Sequence, residues 1–209
     1  GYPPSIHPPV SPWAADRWPG ASASGSGVAT AASLCFGSLG SDTGGSIRFP
    51  SAACGIVGVK PTYGRVSRYG VFPLGETLDH IGPMTRCVLD AAIILRAIAG
   101  FDANDPTTRR VTVRDYLNTV SNGVKGIRIG VDEEYCTKGT DPQVTKAVLA
   151  TTKTLKELGA DIREVQFPVS DDPFWFTICA AETAAAHEKF YPARANDYGP
   201  TFRSFLEEG

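Results

Sequence analysis

The second half of the chain contains a strand–helix–strand pattern, and this limits the fold more than any other stretch. Residues 127–131 (IRIGV) make a short apolar run of strand length. Asp141 and Pro142 open a helix that continues to Leu158 and is closed by Gly159. Residues 161–167 read as the next strand. At these lengths the connection is a βαβ crossover, which lays the two strands parallel with a helix against the sheet. The expectation is an α/β chain with a mixed, partly parallel β-sheet flanked by helices.

The remaining stretches fill in around that unit. Pro3, Pro4, Pro8, Pro9, Pro12 and Pro19 leave no room for a helix or inner strand over residues 1–20. An Ala-rich helix is expected over 28–36 and a short strand over 56–60. Thr85 is placed to cap a helix over 86–99, where Val88, Ala91, Ala92, Leu95 and Ile98 recur at helical spacing and Gly100 ends the run. Further helices are expected over 174–190 and 201–207. No internal repeat or compositional linker divides the chain, so residues 1–209 are read as one domain.

Composition removes several function classes. With 20 Lys and Arg against 22 Asp and Glu, the net charge is −2, so no direct nucleic-acid partner and no anionic membrane is expected. No apolar run approaches the ~20 residues that span a bilayer. Five cysteines, with no CxxC among them, argue against a paired-Cys zinc site and for reduced thiols in a cytoplasmic protein. No His/Asp/Glu cluster has metal spacing, and no cofactor is expected.

Two Gly/Ser-rich loops flank the Ala-rich stretch. The first is GASASGSG (residues 20–27). The second, residues 37–55, contains Gly44 and Gly45 directly before Ser46. Paired glycines let the backbone turn sharply and aim N–H groups at one point. Taken alone, SDTGGS reads more simply as a tight turn or phosphate-binding loop, although GxxxxGK[ST] and GxGxxG are absent. GASAS is a near miss to the GxSxG elbow of Ser–His–Asp hydrolases, with Ser24 where glycine is expected and His80 as the best available base.

A longer, ordered set of motifs favours another reading. The run GSDTGGSIRFPSAACGIVGVKPTYGRVSRYG (residues 40–70), Trp18-Pro19-Gly20, GASASGSG, LDHIGPMTR (78–86) and DAAIILRAIAG (90–100) resemble the amidase signature family. The resemblance implies that family's fold and a Ser–Ser–Lys triad. It makes Ser46 the nucleophile and Ser22, 24 positions earlier on a cis peptide bond, the relay. Backbone N–H groups of Thr43, Gly44, Gly45 and Ser46 are then the oxyanion hole, with Asp42 and Arg48 supporting the two loops. The substrate implied is a small-molecule amide, cleaved through an acyl-serine intermediate, and a homo-oligomer is compatible with this.

The family's catalytic lysine lies upstream of the first loop, and residues 1–19 contain no lysine. Lys60 falls at a position read as structural. The chain is therefore expected to be a fragment of a longer protein, or a truncated relative, that lacks the lysine segment. Two other functions stay open: an amidotransferase component releasing ammonia from glutamine for tRNA-bound transamidation, and a non-catalytic truncated fragment. Phe49 stands where the amidotransferase subunits often carry Gln, which leans mildly towards a general amidase.

Overall fold

A computed structural model describes residues 5–168 and 174–209. In chain order its elements are α1 (Ser24–Ala31), β1 (Gly37–Asp42), α2 (Arg48–Cys54), β2 (Val57–Gly58), β3 (His80–Thr85), α3 (Val88–Ile98), β4 (Arg128–Val131), α4 (Glu133–Thr137), α5 (Pro142–Glu157), β5 (Asp161–Glu164), α6 (Phe174–His187) and α7 (Pro200–Glu208). They fall into two compact units, one within Gly1–Asn118 and Pro173–Gly209, the other within Thr119–Asp172.

The smaller unit is the expected crossover. β4 and β5 pair in parallel, from Arg128 opposite Asp161 to Val131 opposite Glu164. Between them runs α5, whose first turn has Pro142 and whose cap, Asp141, accepts from the Gln143 N–H at 2.7 Å. Asp132 performs the same service at the start of α4, accepting from the Tyr135 N–H at 2.9 Å, and its other oxygen holds the Phe167 N–H at 2.6 Å.

The larger unit is built on a three-stranded antiparallel sheet in the order β1-β3-β2. The register runs from Gly37 opposite Thr85 to Asp42 opposite His80. Two of these strands were not expected from the sequence. Residues 37–42 (GSLGSD) and 80–85 (HIGPMT) lack the β-branched runs that mark strands, and Pro83 cannot donate to a ladder. For β3, central placement between β1 and β2 compensates. From Ile81 to Thr85 every residue of β3 is buried, and the Pro83 carbonyl accepts from the Val59 N–H at 3.0 Å.

The helices differ from expectation at their ends. α1 starts at Ser24 and stops at Ala31, because Ser33 takes a left-handed backbone (φ 61°) that turns the chain back into β1. α3 starts at Val88 with Cys87, not Thr85, at its cap position. Thr85 instead donates to the Cys87 carbonyl at 2.8 Å. Val66, Ile81 and Leu95 form one apolar cluster between β3 and α3. α1 packs against β1 and β3, and α2 against β2, around the fully buried Ile47, Cys54 and Met84. α6 and α7 pack together through Phe176 and Phe205, whose rings meet edge-on at 5.3 Å.

Candidate active site

The two Gly/Ser loops lie side by side. The first enters α1, and the second leaves β1 and enters α2. One backbone hydrogen bond joins them: the Ala23 N–H donates to the Ser46 carbonyl at 3.2 Å. Ser22 is exposed beside that bond, on a cis Ala21–Ser22 peptide, and Ser46 is half-buried. Gly20 presses so closely on the Pro50 backbone that a Cβ there would overlap it. The first loop is thus seated on the first turn of α2.

Asp42 organises the second loop. Its side chain is fully buried at the end of β1. Oδ1 accepts from the Gly45 N–H at 2.7 Å, and Oδ2 from the N–H groups of Ile47 and Arg48 at 3.1 and 3.3 Å. Helix α2 has no capping side chain of its own at Ile47, so Asp42 supplies the cap from the strand before it. Arg48 closes the arrangement, with Nε on Oδ2 at 3.0 Å and Nη2 on Oδ1 at 2.9 Å. Burial alone would raise the carboxyl's pKa. The Arg48 side chain and the three backbone donors outweigh it and bring the pKa down to about 2. The same pair raises the Arg48 pKa.

Gly45 adopts φ 133°, a backbone that side chains disfavour, and its N–H is committed to Asp42. Of the four donors expected from the sequence, Gly45 is the one whose N–H points to Asp42. Among the described residues, no hydrogen bond takes up the Gly44 or the Ser46 N–H.

Thr43 is held from two directions. Its hydroxyl donates to Asp79 Oδ1. Asp79 is itself buried and also accepts from the N–H groups of Leu74 and Gly75 at 2.8 and 3.2 Å. On the other side, the Trp175 indole N–H donates to the Thr43 carbonyl at 3.1 Å. The Trp175 ring lies over Gly44, where a Cβ would overlap it. Further along α6, Glu182 accepts from the Thr77 N–H and hydroxyl at 3.0 and 2.6 Å, and the Thr183 hydroxyl donates to the Leu74 carbonyl at 2.9 Å. These bonds give Asp79 a structural part in holding Thr43. The Trp175 contact spans 132 positions, and only the glycine at residue 44 hints in the sequence at a close neighbour.

Other candidates lie elsewhere. Nδ1 of His80 is 2.6 Å from the Leu78 carbonyl and 3.2 Å from the Asp42 carbonyl, so it faces backbone oxygens. Ser24, its partner in the elbow reading, is buried within α1. Lys60 Nζ donates to the Pro61 carbonyl at 3.2 Å. Cys54 is buried, and burial raises its pKa, which keeps it a thiol. Phe49 is half-exposed and meets Trp18 edge-on at 5.0 Å. Ser22 and Ala21 border an open groove of about 670 Å³ whose walls include Trp18, Phe176, Phe202 and Phe205. Among the described residues no group of three or more His, Cys, Asp or Glu side chains is placed to hold a metal, and no helix is long and apolar enough to cross a membrane.

Two serine loops clamped together on a mixed α/β scaffold define a serine-loop α/β protein. A family model described as Amidase matches residues 2–205, and the chain belongs to that family, the amidase signature enzymes. It is 46% identical over 211 residues to a Mycobacterium tuberculosis protein provisionally named amidase AmiD, a match that covers 100% of this chain and 44% of that protein. Among solved structures it resembles a component of the glutamyl-tRNA(Gln) amidotransferase of Thermotoga maritima, with TM-score 0.83 and 36% identity over 98% of this chain and 45% of the other. It also resembles a bacterial aryl acylamidase of the amidase signature enzymes, with TM-score 0.82 and 27% identity over 96% and 44%. The chain thus spans less than half the length of these relatives.

Proposed function

We propose that this chain carries the nucleophile and oxyanion site of an amidase that cleaves small-molecule amides in the cytoplasm. The observation that carries the reading is the Ala23–Ser46 hydrogen bond, which sets the Ser22 and Ser46 loops against each other. Ser46 attacks the carbonyl carbon and forms an acyl-serine. Its proton passes to Ser22, since a hydroxyl both accepts and donates. The family resemblance implies a neutral lysine as the final acceptor. Lys60 is engaged with its own loop and is not assigned that role. The route in reverse protonates the leaving amine. The Gly44 and Ser46 N–H groups, with Thr43 beside them, stabilise the charge that develops on the carbonyl oxygen. Asp42 and Arg48 hold the turn in shape.

The test is labelling with a serine-directed fluorophosphonate. We expect labelling that disappears in Ser46→Ala and weakens in Ser22→Ala. Labelling that survives Ser46→Ala but is lost in His80→Ala would favour the elbow reading and overturn ours. Absence of any labelling at Ser46 would favour a non-catalytic fragment.

The likeness to amidotransferase subunits supports a second reading, in which ammonia is released from glutamine for a tRNA-bound partner. Phe49, apolar at the position beside the loop, weighs against it. Hydrolysis of simple aryl or alkyl amides without glutamine dependence or co-purifying subunits would decide for the general amidase.

A further inference from the structure

The peptide unit between Thr43 and Gly44 has one end held and the other unclaimed. Its carbonyl accepts from the Trp175 indole at 3.1 Å. Its N–H belongs to Gly44 and meets no acceptor among the described residues. A trans peptide is planar, with C=O and N–H pointing in opposite directions. Fixing the carbonyl therefore fixes where the N–H points. Without Trp175 the unit could rotate, because Gly44 has no side chain to resist and Gly45 beyond it is already in an unusual backbone conformation.

We propose that Trp175 is a positioning residue for the oxyanion site. By holding the Thr43 carbonyl, it aims the Gly44 N–H at the oxygen of the amide attacked by Ser46. The proposal rests on Ser46 being the nucleophile. Nothing near Thr43 in the sequence replaces this hold. The Asp79 bond fixes the Thr43 side chain and leaves the following peptide plane free to turn. The Asp42 bonds begin one residue later, at the Gly45 N–H.

The ring and the N–H of Trp175 do separate things, so two variants separate them. Trp175→Phe loses the donor and keeps an aromatic ring, with part of the indole that meets Gly44 trimmed away. Trp175→Ala loses both. The measurement is the rate of Ser46 phosphonylation by a fluorophosphonate, resolved into reagent affinity and maximal rate, with circular dichroism and melting to establish the fold. Phosphonylation also builds negative charge on an oxygen facing the N–H donors, so it reports on the same geometry. We expect Trp175→Phe to lower the maximal rate about tenfold with affinity nearly unchanged. That is below the ~100- to 1000-fold typical of deleting an oxyanion donor itself, because here the donor remains and only its aim is lost. A Trp175→Phe protein that labels as fast as the parent would overturn the proposal, even if Trp175→Ala is slow, since packing alone would then explain the effect. Failure of the parent to label at Ser46 would instead remove the underlying assignment, and this proposal with it.

Discussion

Asp42 and Arg48 meet in a two-point ion pair across the turn that carries Ser46, with the carboxylate fully buried and the guanidinium half-exposed. The two partners are not equivalent. Arg48 is one of several donors to Asp42, whereas Asp42 is the acceptor shared by Gly45, Ile47 and Arg48. Asp42→Ala should therefore cost roughly 3–5 kcal/mol, as expected when a buried charge network loses its centre. Arg48→Ala should cost less, about 1–3 kcal/mol, because the backbone donors remain. Denaturant titration of both variants checks the order, and equal losses would refute it.

The same carboxylate makes an acid transition predictable. Its pKa is about 2 in the folded chain against an ordinary 3.8. A depressed pKa means that the contribution is complete above the unfolded value and is lost as pH falls through the folded one. Melting temperature should thus decline between about pH 4 and pH 2 more steeply in the parent than in Asp42→Asn. Parallel curves would show that Asp42 does not govern this window.

Gly44 and Gly45 should fail as alanines for different reasons. At Gly44 the added Cβ meets the Trp175 ring. At Gly45 it meets nothing within 4 Å, but the backbone at φ 133° is unsuited to it. Removing the ring with Trp175→Ala should recover melting temperature in a Gly44→Ala background and not in a Gly45→Ala background. A double-mutant cycle measures this directly.

The thiols should separate by burial. Cys87 is exposed, while Cys54 and Cys179 are buried and have their pKa values raised first by that burial. A thiol reagent on the native protein should modify Cys87 ahead of Cys54 and Cys179, and the last two should react only on unfolding. Early modification of Cys54 would contradict the packing of α2.

Met84 tests the packing of α1 on the sheet. It is fully buried in β3, next to Gly27 and Gly40. Met84→Ala should destabilise by about 2–5 kcal/mol through the lost side chain and the cavity left behind, readable as a lower denaturation midpoint.

Legibility along the chain followed locality. The crossover is legible because each signal in it is local: a capping Asp141, Pro142 in the first turn, Gly159 after the helix and strand-length segments on both sides. The strands β1 and β3 were hidden because neighbours make them. GSLGSD and HIGPMT have weak strand character, and they pair where α1 packs on both and α3 packs on β3. At the site, the serines, glycines and the Asp42–Arg48 pair lie within 27 positions of one another and were readable as motifs. What the motif does not show is that the Gly45 N–H turns inward to Asp42.

The resemblance to the family, the α/β class, the crossover and the two loops that carry Ser22 and Ser46 are legible in residue type and short spacing. Which backbone N–H groups stay unclaimed, and what aims them, depends on tertiary packing. A hydrogen bond such as that from Trp175 to Thr43 joins groups 132 positions apart. No local rule links residues at that separation; packing of α6 against the loop brings them within reach.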